Sequence, residues 1–311
     1  MLKMYKNKLR DLAAYLLAAL LVTACNQEEH AVDTTPVAAR FWAGMDEGSQ
    51  EVTTQSRASG TTWNAKDSIG IFMVDNGTSN LLPDVWNVKY WTEDGNGTFS
   101  VAQGSEDIYF PVDETRKVDF LAYYPYQRYN VYDGIYPVDV FTQKDQAAID
   151  LLYTNSYRTN TAGYDKTDPQ VDLVFSHQLS RLILNTTPGL GLDDLSGLTV
   201  EIHGINTTAY FDLYTGELSN YSGFLYCHMK MITDGKRFEA ILLPDATTST
   251  GEWYIEFKLG EDTYTWYVPA GTVFEAGAEH TWTISVQQVP IQVSARIEAW
   301  TQGTGGSGIA N

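Results

Sequence analysis

Thr263-Tyr264-Thr265-Trp266-Tyr267-Val268, Thr281-Trp282-Thr283-Ile284-Ser285-Val286 and Ile291-Gln292-Val293-Ser294-Ala295-Arg296-Ile297 repeat one design near the C-terminus. In each, every second residue is apolar: Tyr264, Trp266 and Val268, then Trp282, Ile284 and Val286, then Ile291, Val293, Ala295 and Ile297. A period of two puts those side chains on one side of an extended chain, so each segment reads as a strand with one buried face. The bulky aromatic and β-branched residues that fill the rows suit a pleated surface better than a helix.

The same reading extends upstream. Twenty tyrosines, eight tryptophans and many Thr, Val and Ile residues favour strands, and no long stretch carries apolar residues at helical spacing with caps. Candidate strands in the first half are Ser68 to Val74, Gly97 to Val101, Ile108 to Phe110, Val118 to Tyr124, Val171 to Ser176 and Arg181 to Asn185. Those before the C-terminal rows are Leu198 to His203, Ala209 to Leu213, Phe238 to Leu243 and Trp253 to Leu259. Turn clusters such as Asp75-Asn76-Gly77, Asp94-Gly95-Asn96-Gly97 and Thr233-Asp234-Gly235 separate them, with Gly and Asn where positive φ is needed. Short strands spaced this way predict an all-β chain of sandwiches. Thr186-Thr187-Pro188-Gly189-Leu190-Gly191 marks the expected domain boundary, because Pro and paired Gly interrupt regular structure.

The N-terminus carries a different signal. Lys3, Lys6, Lys8 and Arg10 precede an apolar run from Leu12 to Val22, and small residues then lead to Cys25. The run is too short for a hydrocarbon core of about 30 Å, so residues 1–24 read as a removed lipoprotein signal peptide, with Cys25 as the acylated new terminus. Each buried methylene would add about 0.8 kcal/mol to membrane attachment.

Charge and cysteine usage narrow the function. The chain has a net charge of −19; residues 1–24 contribute four basic groups against Asp11, so the mature part carries −22. Such a polyanion repels phosphate, which argues against nucleic acid as a partner. With Cys25 acylated, Cys227 has no disulfide partner and reads as a small buried residue.

Catalytic and cofactor motifs are missing from the sequence. Gly303-Thr304-Gly305-Gly306-Ser307-Gly308 matches GxGxxG without a following helix or a βαβ unit, and no HExxH, CxxC or GxSxG occurs. The five histidines, His30, His177, His203, His228 and His280, show no metal-ligand spacing, and His177 reads as a hydrogen-bonded core or edge residue. Asp193-Asp194 reads as a solvated linker, and Asp94 to Thr98 as a β-turn lacking the rest of a calcium loop. No enzyme activity, cofactor or metal is expected. Trp86, Tyr90 and Trp91, or Tyr123, Tyr124 and Tyr126, read chiefly as sandwich packing, with sugar-ring stacking as the competing role.

Several strings, in order, resemble the fimbrillin family of lipoprotein pilus subunits from Bacteroidales. They are Trp63-Asn64-Ala65-Lys66-Asp67-Ser68-Ile69-Gly70-Ile71-Phe72-Met73, Val118-Asp119-Phe120-Leu121-Ala122-Tyr123-Tyr124-Pro125-Tyr126 and Leu173-Val174-Phe175-Ser176-His177-Gln178-Leu179-Ser180-Arg181-Leu182. Ala240-Ile241-Leu242-Leu243-Pro244 and Ile297-Glu298-Ala299-Trp300 complete the series. The resemblance implies two tandem transthyretin-like β-sandwiches: a leader over 25–57, an N-terminal sandwich over 58–190, and a C-terminal sandwich over 191–311 with a Gly-rich tail. It implies export to the outer membrane surface, a cut after an arginine that frees the first strand, and assembly with other fimbrial subunits by strand addition. Arg57, followed by Ala58, matches the cleavage position best; Arg40 is a second arginine upstream. Pro36 to Phe41 suits the removable strand, with Val37, Ala39 and Phe41 on alternate positions. Thr301 to Asn311 lacks an alternating apolar row, which fits an anchor, tip or accessory subunit better than a stalk, unless Ile291 to Ile297 is itself the donor. Stalk, anchor and tip stay open, as do contacts with host or bacterial surface glycans or proteins. A glycan-binding surface lipoprotein is the alternative.

Replacing Cys25 with Ala is expected to leave a soluble or mis-sorted precursor, checked by membrane fractionation. Unchanged partition into the membrane fraction would count against lipidation at this residue.

Overall fold

Ile69 to Val74 and Val118 to Tyr124 are apolar on both faces, so each must pack against something on either side. In the computed structural model, which describes residues 34–46, 62–249, 251–288, 298–299 and 306–310, both do. Ile69, Ile71 and Met73 enter one core while Phe72 and Val74 enter another; Phe120 and Ala122 divide from Leu121 and Tyr123 in the same way.

The protein is all-β, with two short 3-10 turns, Gln146–Ala148 and Ser156–Arg158, among the described residues. Its first eight strands are β1 (Arg40–Met45), β2 (Ser68–Asp75), β3 (Val88–Trp91), β4 (Thr98–Val101), β5 (Val118–Tyr124), β6 (Ile135–Asp139), β7 (Leu152–Asn155) and β8 (Gln170–His177). Then come β9 (Ser180–Pro188), β10 (Thr199–His203), β11 (Thr208–Asp212), β12 (Glu217–Ser222), β13 (Tyr226–His228), β14 (Lys230–Thr233) and β15 (Arg237–Leu242). The last are β16 (Asp245–Ala246), β17 (Tyr254–Leu259), β18 (Asp262–Tyr267), β19 (Val273–Phe274), β20 (Glu279–Val286), β21 (Glu298–Ala299) and β22 (Ser307–Ala310).

Seven strands in the order β1-β4-β3-β2-β5-β7-β8 close into a barrel, and their inward residues form the first core. The expected two-sheet arrangement is here joined into one ring, because β1 hydrogen-bonds to β4 on one side and β8 on the other. The outer faces of β2, β5 and β7 lie under a three-stranded sheet, β12-β11-β6, where Phe72, Leu121, Tyr123 and Tyr153 share a core with Val138 and Phe211, joined by Ile241 of β15.

Residues from Leu182 onward build a further core between the sheet β13-β10-β17-β18 and the sheet β14-β15-β9-β20. The last side chain in the first core is Phe175, so the chain passes from one to the other through His177-Gln178-Leu179. The composition break at Thr186 to Gly191 falls at the end of β9 and the turn after it. Within this second core Trp266 and Trp282 meet edge to face, with ring centroids 4.8 Å apart, and Phe274 closes on Trp282 at 5.6 Å.

The edge of β20 is covered by β21 and, in parallel, by β22. Ile291 to Ile297 lies outside the described residues. The tail, for which no alternating apolar row was expected, buries Gly308 and Ala310 on alternate positions. The row is made of small residues because Trp266 occupies the space: a Cβ at Gly308 would stand 1.9 Å from its indole nitrogen.

Trp282 is 3% exposed and central to these contacts. Trp282→Ala is expected to lower the unfolding free energy by about 3–5 kcal/mol, read from denaturant unfolding; a near-neutral change would contradict this packing.

Candidate functional site

The barrel depends on one short strand near the N-terminus of the described chain. Val37, Ala39 and Phe41 alternate toward the first core, as their spacing predicts, and the alternation continues through Ala43 and Met45. Trp42 points the other way and is 44% exposed. Beside it, Gly97 holds φ +91°, and a Cβ there would come 2.8 Å from the Trp42 indole nitrogen, so only glycine lets β4 lie this close to β1.

The backbone of β1 is engaged along both edges. It runs parallel to β8 over six register pairs, Arg40 against Gln170 through Met45 against Phe175, and antiparallel to β4 at Phe41–Phe99 and Trp42–Thr98. Beyond the ladders, the amide of Arg40 donates to Pro169 O at 2.9 Å, that of Ala43 to Gly97 O at 2.8 Å and that of Asp46 to Phe175 O at 2.7 Å. The indole of Trp63 donates to Ala43 O at 2.7 Å. Upstream, Ala39 N donates to Ile108 O and Phe110 N to Val37 O, so the expected strand at Ile108 to Phe110 is present as a single bridge between Ala38 and Tyr109 rather than a ladder.

An aromatic box receives the inward side chains. Phe41 meets Tyr90 at 4.9 Å and Phe120 at 5.1 Å, both edge to face. Trp63 meets Phe99 at 5.1 Å and Phe175 at 5.2 Å in the same core. Tyr90 is wholly enclosed; its hydroxyl accepts from Ile108 N at 2.9 Å, and burial pushes its phenol up to about 12. Full burial of a side chain such as Phe or Met contributes roughly 1.5–3 kcal/mol. Without β1 the box would lose its lid, and the facing edges of β4 and β8 would lose their hydrogen-bond partners.

The chain matches the family described as Fimbrillin-like over residues 56–300. It belongs to the fimbrillin-like family. It is 33% identical to a Bacteroides uniformis protein described as a candidate fimbrium subunit, Fim1C, over 98% of this chain and 99% of that protein. The crystal structure of a candidate cell-adhesion protein from Bacteroides uniformis superposes with a TM-score of 0.67 at 32% identity, covering 85% of this chain and 98% of that one. A second, from Bacteroides ovatus, superposes at 0.61 and 20% identity, covering 81% and 92%, a likeness of fold alone.

In this fimbrillin-like chain the other expected residues fall into place unevenly. Cys25, Arg57 and Ala58 lie outside the described residues. Arg40 opens β1 and its amide is held by Pro169, so its backbone is part of the sheet. Tyr90, Tyr123 and Tyr124 are buried, so they pack the cores and cannot stack on a sugar; Trp86 is 40% exposed and leans edge-on against Phe72. His177 Nδ1 stands 2.9 Å from Asp150 Oδ2. Asp94 and Asn96 accept from the amides of Asn96 and Thr98 in an ordinary turn. Cys227 is fully buried, and burial, reinforced by Glu201, pushes its thiol up to about 12.

Phe41→Ala in the uncut protein is expected to cost about 3–5 kcal/mol in denaturant unfolding. A loss below about 1 kcal/mol would mean that the box does not rely on this ring.

Proposed function

We propose that this fimbrillin-like protein is a structural or accessory subunit of cell-surface fimbriae, matured by a cut after Arg57 and assembled by accepting a strand from a neighbouring subunit. The family is one of fimbrial structural subunits, which points to a non-enzymatic role at the cell surface. The observation that carries the assembly step is the place of β1, the closing strand of a barrel, paired along both edges and capped by an aromatic box. Arg57 lies between β1 and Trp63 in the sequence. A cut there leaves β1 attached to the body only by non-covalent contacts. Departure of β1 would expose an apolar groove flanked by two unpaired strand edges, the two features that favour strand addition.

In the same proposal Cys25 is acylated and tethers the precursor to the outer membrane, and the chain divides into a leader over 25–57, an N-terminal sandwich over 58–190 and a C-terminal sandwich over 191–311. The first core, which ends at Phe175, and the second, which begins at Leu182, favour a two-part body, with the change of core falling ahead of residue 190 and a third core drawn from both parts. The partners are other fimbrial subunits.

Trypsin-like digestion limited to Arg57 is expected to convert monomers into oligomers, followed by size-exclusion chromatography with N-terminal sequencing of the product. Arg57→Ala is expected to block both cleavage and assembly. Equal oligomer formation by Arg57→Ala would remove maturation at this site.

A further inference from the structure

The outer face of the sheet β13-β10-β17-β18 collects side chains that the fimbrial reading does not use. Ile202, Cys227 and Ile255 point into the second core, so the strand period turns their neighbours Glu201, His203, Tyr226, His228, Tyr254 and Glu256 outward. Register then places His228 and Glu256 on either side of Glu201, and Tyr226 and Tyr254 on either side of His203. Histidines 25 positions apart in sequence thus reach one patch through strand pairing.

Glu201, His203 and Glu256 each present one donor atom within 4.8 Å of the others. His203 Nε2 is shielded from solvent and stands 3.2 Å from Glu201 Oε2, yet the two are not aligned as a hydrogen bond. On the other carboxylate oxygen, His228 Nδ1 stands 3.1 Å from Glu201 Oε1. Two donors on one tetrahedral zinc, each about 2.0–2.2 Å from the metal, lie about 3.3 Å apart. The His203 spacing therefore suits shared coordination, whereas His228 faces the other carboxylate oxygen and lies outside the three-donor group. The His203 ring is also fixed: it stacks on Tyr254 at 4.6 Å with planes 3° apart, and Tyr226 covers its other side at 5.6 Å. Rings stacked on one another in this way are not free to receive a sugar, which favours a small ion over a glycan at this face.

Lys258 already marks the position as one that draws positive charge. Its ammonium lies 3.1 Å from Glu201 Oε1 and 2.7 Å from Glu256 Oε1, on a side chain that is 43% exposed and can swing away. We propose that Glu201, His203 and Glu256 form a binding site for a first-row divalent transition-metal ion such as zinc, with Lys258 as the group it displaces. Mixed imidazole and carboxylate donors favour such an ion over calcium or magnesium, which take oxygen ligands. An ion held there would tie β10 and β17 together on the side away from their core.

The test is isothermal titration of the purified, tag-free protein with zinc and, separately, calcium, alongside thermal unfolding with zinc or with chelator. One zinc per chain, a zinc-dependent rise in unfolding temperature, affinity at least about tenfold weaker in both His203→Ala and Glu256→Gln, and tighter binding by Lys258→Ala are expected. Unfolding temperatures in chelator identify any variant that is misfolded, and Glu256→Gln, which changes little more than a charge at a partly exposed position, keeps the test valid if His203→Ala fails to fold. No saturable zinc binding, wild-type affinity in Glu256→Gln, or binding of calcium in preference to zinc would overturn the site.

Discussion

Closure of the first barrel by β1 is the constraint on which the rest of that half depends. Six residues supply the partners for an edge of β8 over their whole length and for β4 at Phe41 and Trp42. An edge strand left unpaired attracts other strands, and a barrel avoids the problem only while every strand is present. The same six residues also fill the aromatic box, because Phe41 and Ala43 face inward and Trp63 reaches across to bond Ala43 O. Backbone pairing and apolar burial are therefore lost or gained together.

The other strands are committed to neighbours that cannot leave so easily. β2 and β5 have core on both faces, so removing either would open the barrel and the layer beneath β6, β11 and β12 at once. β9 is held between β15 and β20, parallel to the latter over eight register pairs, at the centre of its sheet. β1, by contrast, contributes to one core only, with Trp42 turned outward. A strand with a single buried face can depart without dismantling a second core, and the loss of β1 would open the ring between β4 and β8.

Strands with strong two-residue periodicity or continuous apolar runs were legible in the sequence, and Ser68 to Val74, Val118 to Tyr124, Arg181 to Asn185 and Thr281 to Val286 all lie within observed strands. Those that escaped have physical reasons. β6 contains Pro137, which cannot donate to a ladder and is tolerated because β6 is the edge of its sheet. β12 and β14 are exposed along nearly their whole length and carry no apolar row. β22 packs with glycine at 308, where Trp266 leaves no room for a Cβ, and with alanine at 310. At the closing strand, the alternation of Val37, Ala39 and Phe41 was readable, but its pairing with β8 was not, since parallel partners more than a hundred residues apart leave no local trace. The same limit hid the cluster around Glu201: ligand spacing along a chain signals a site on a helix or tight loop, whereas Glu201 and His203 reach Glu256 only through the pairing of β10 with β17, far along the chain.

The order of features along the N-terminus gives the proposed maturation a specific consequence. Cys25, β1 and Arg57 follow one another, so the proposed acylation site and the closing strand sit on the same side of the proposed cut. While the chain is intact, β1 competes for its groove at the high effective concentration that a short tether provides, and a strand from another molecule is at a disadvantage that contacts alone need not create. Cleavage changes none of the contacts between β1 and the box. It would remove the tether, so that β1 and an incoming strand compete on their contacts and their actual concentrations, and it would leave the body joined to the proposed lipid anchor only through β1. Arg40 could not serve in this way, because a cut there would leave Phe41, Ala43 and Met45 joined to the body and the barrel still closed. Under the proposed maturation, release from the membrane and readiness to accept a strand would then both follow from the departure of β1 that the cut permits.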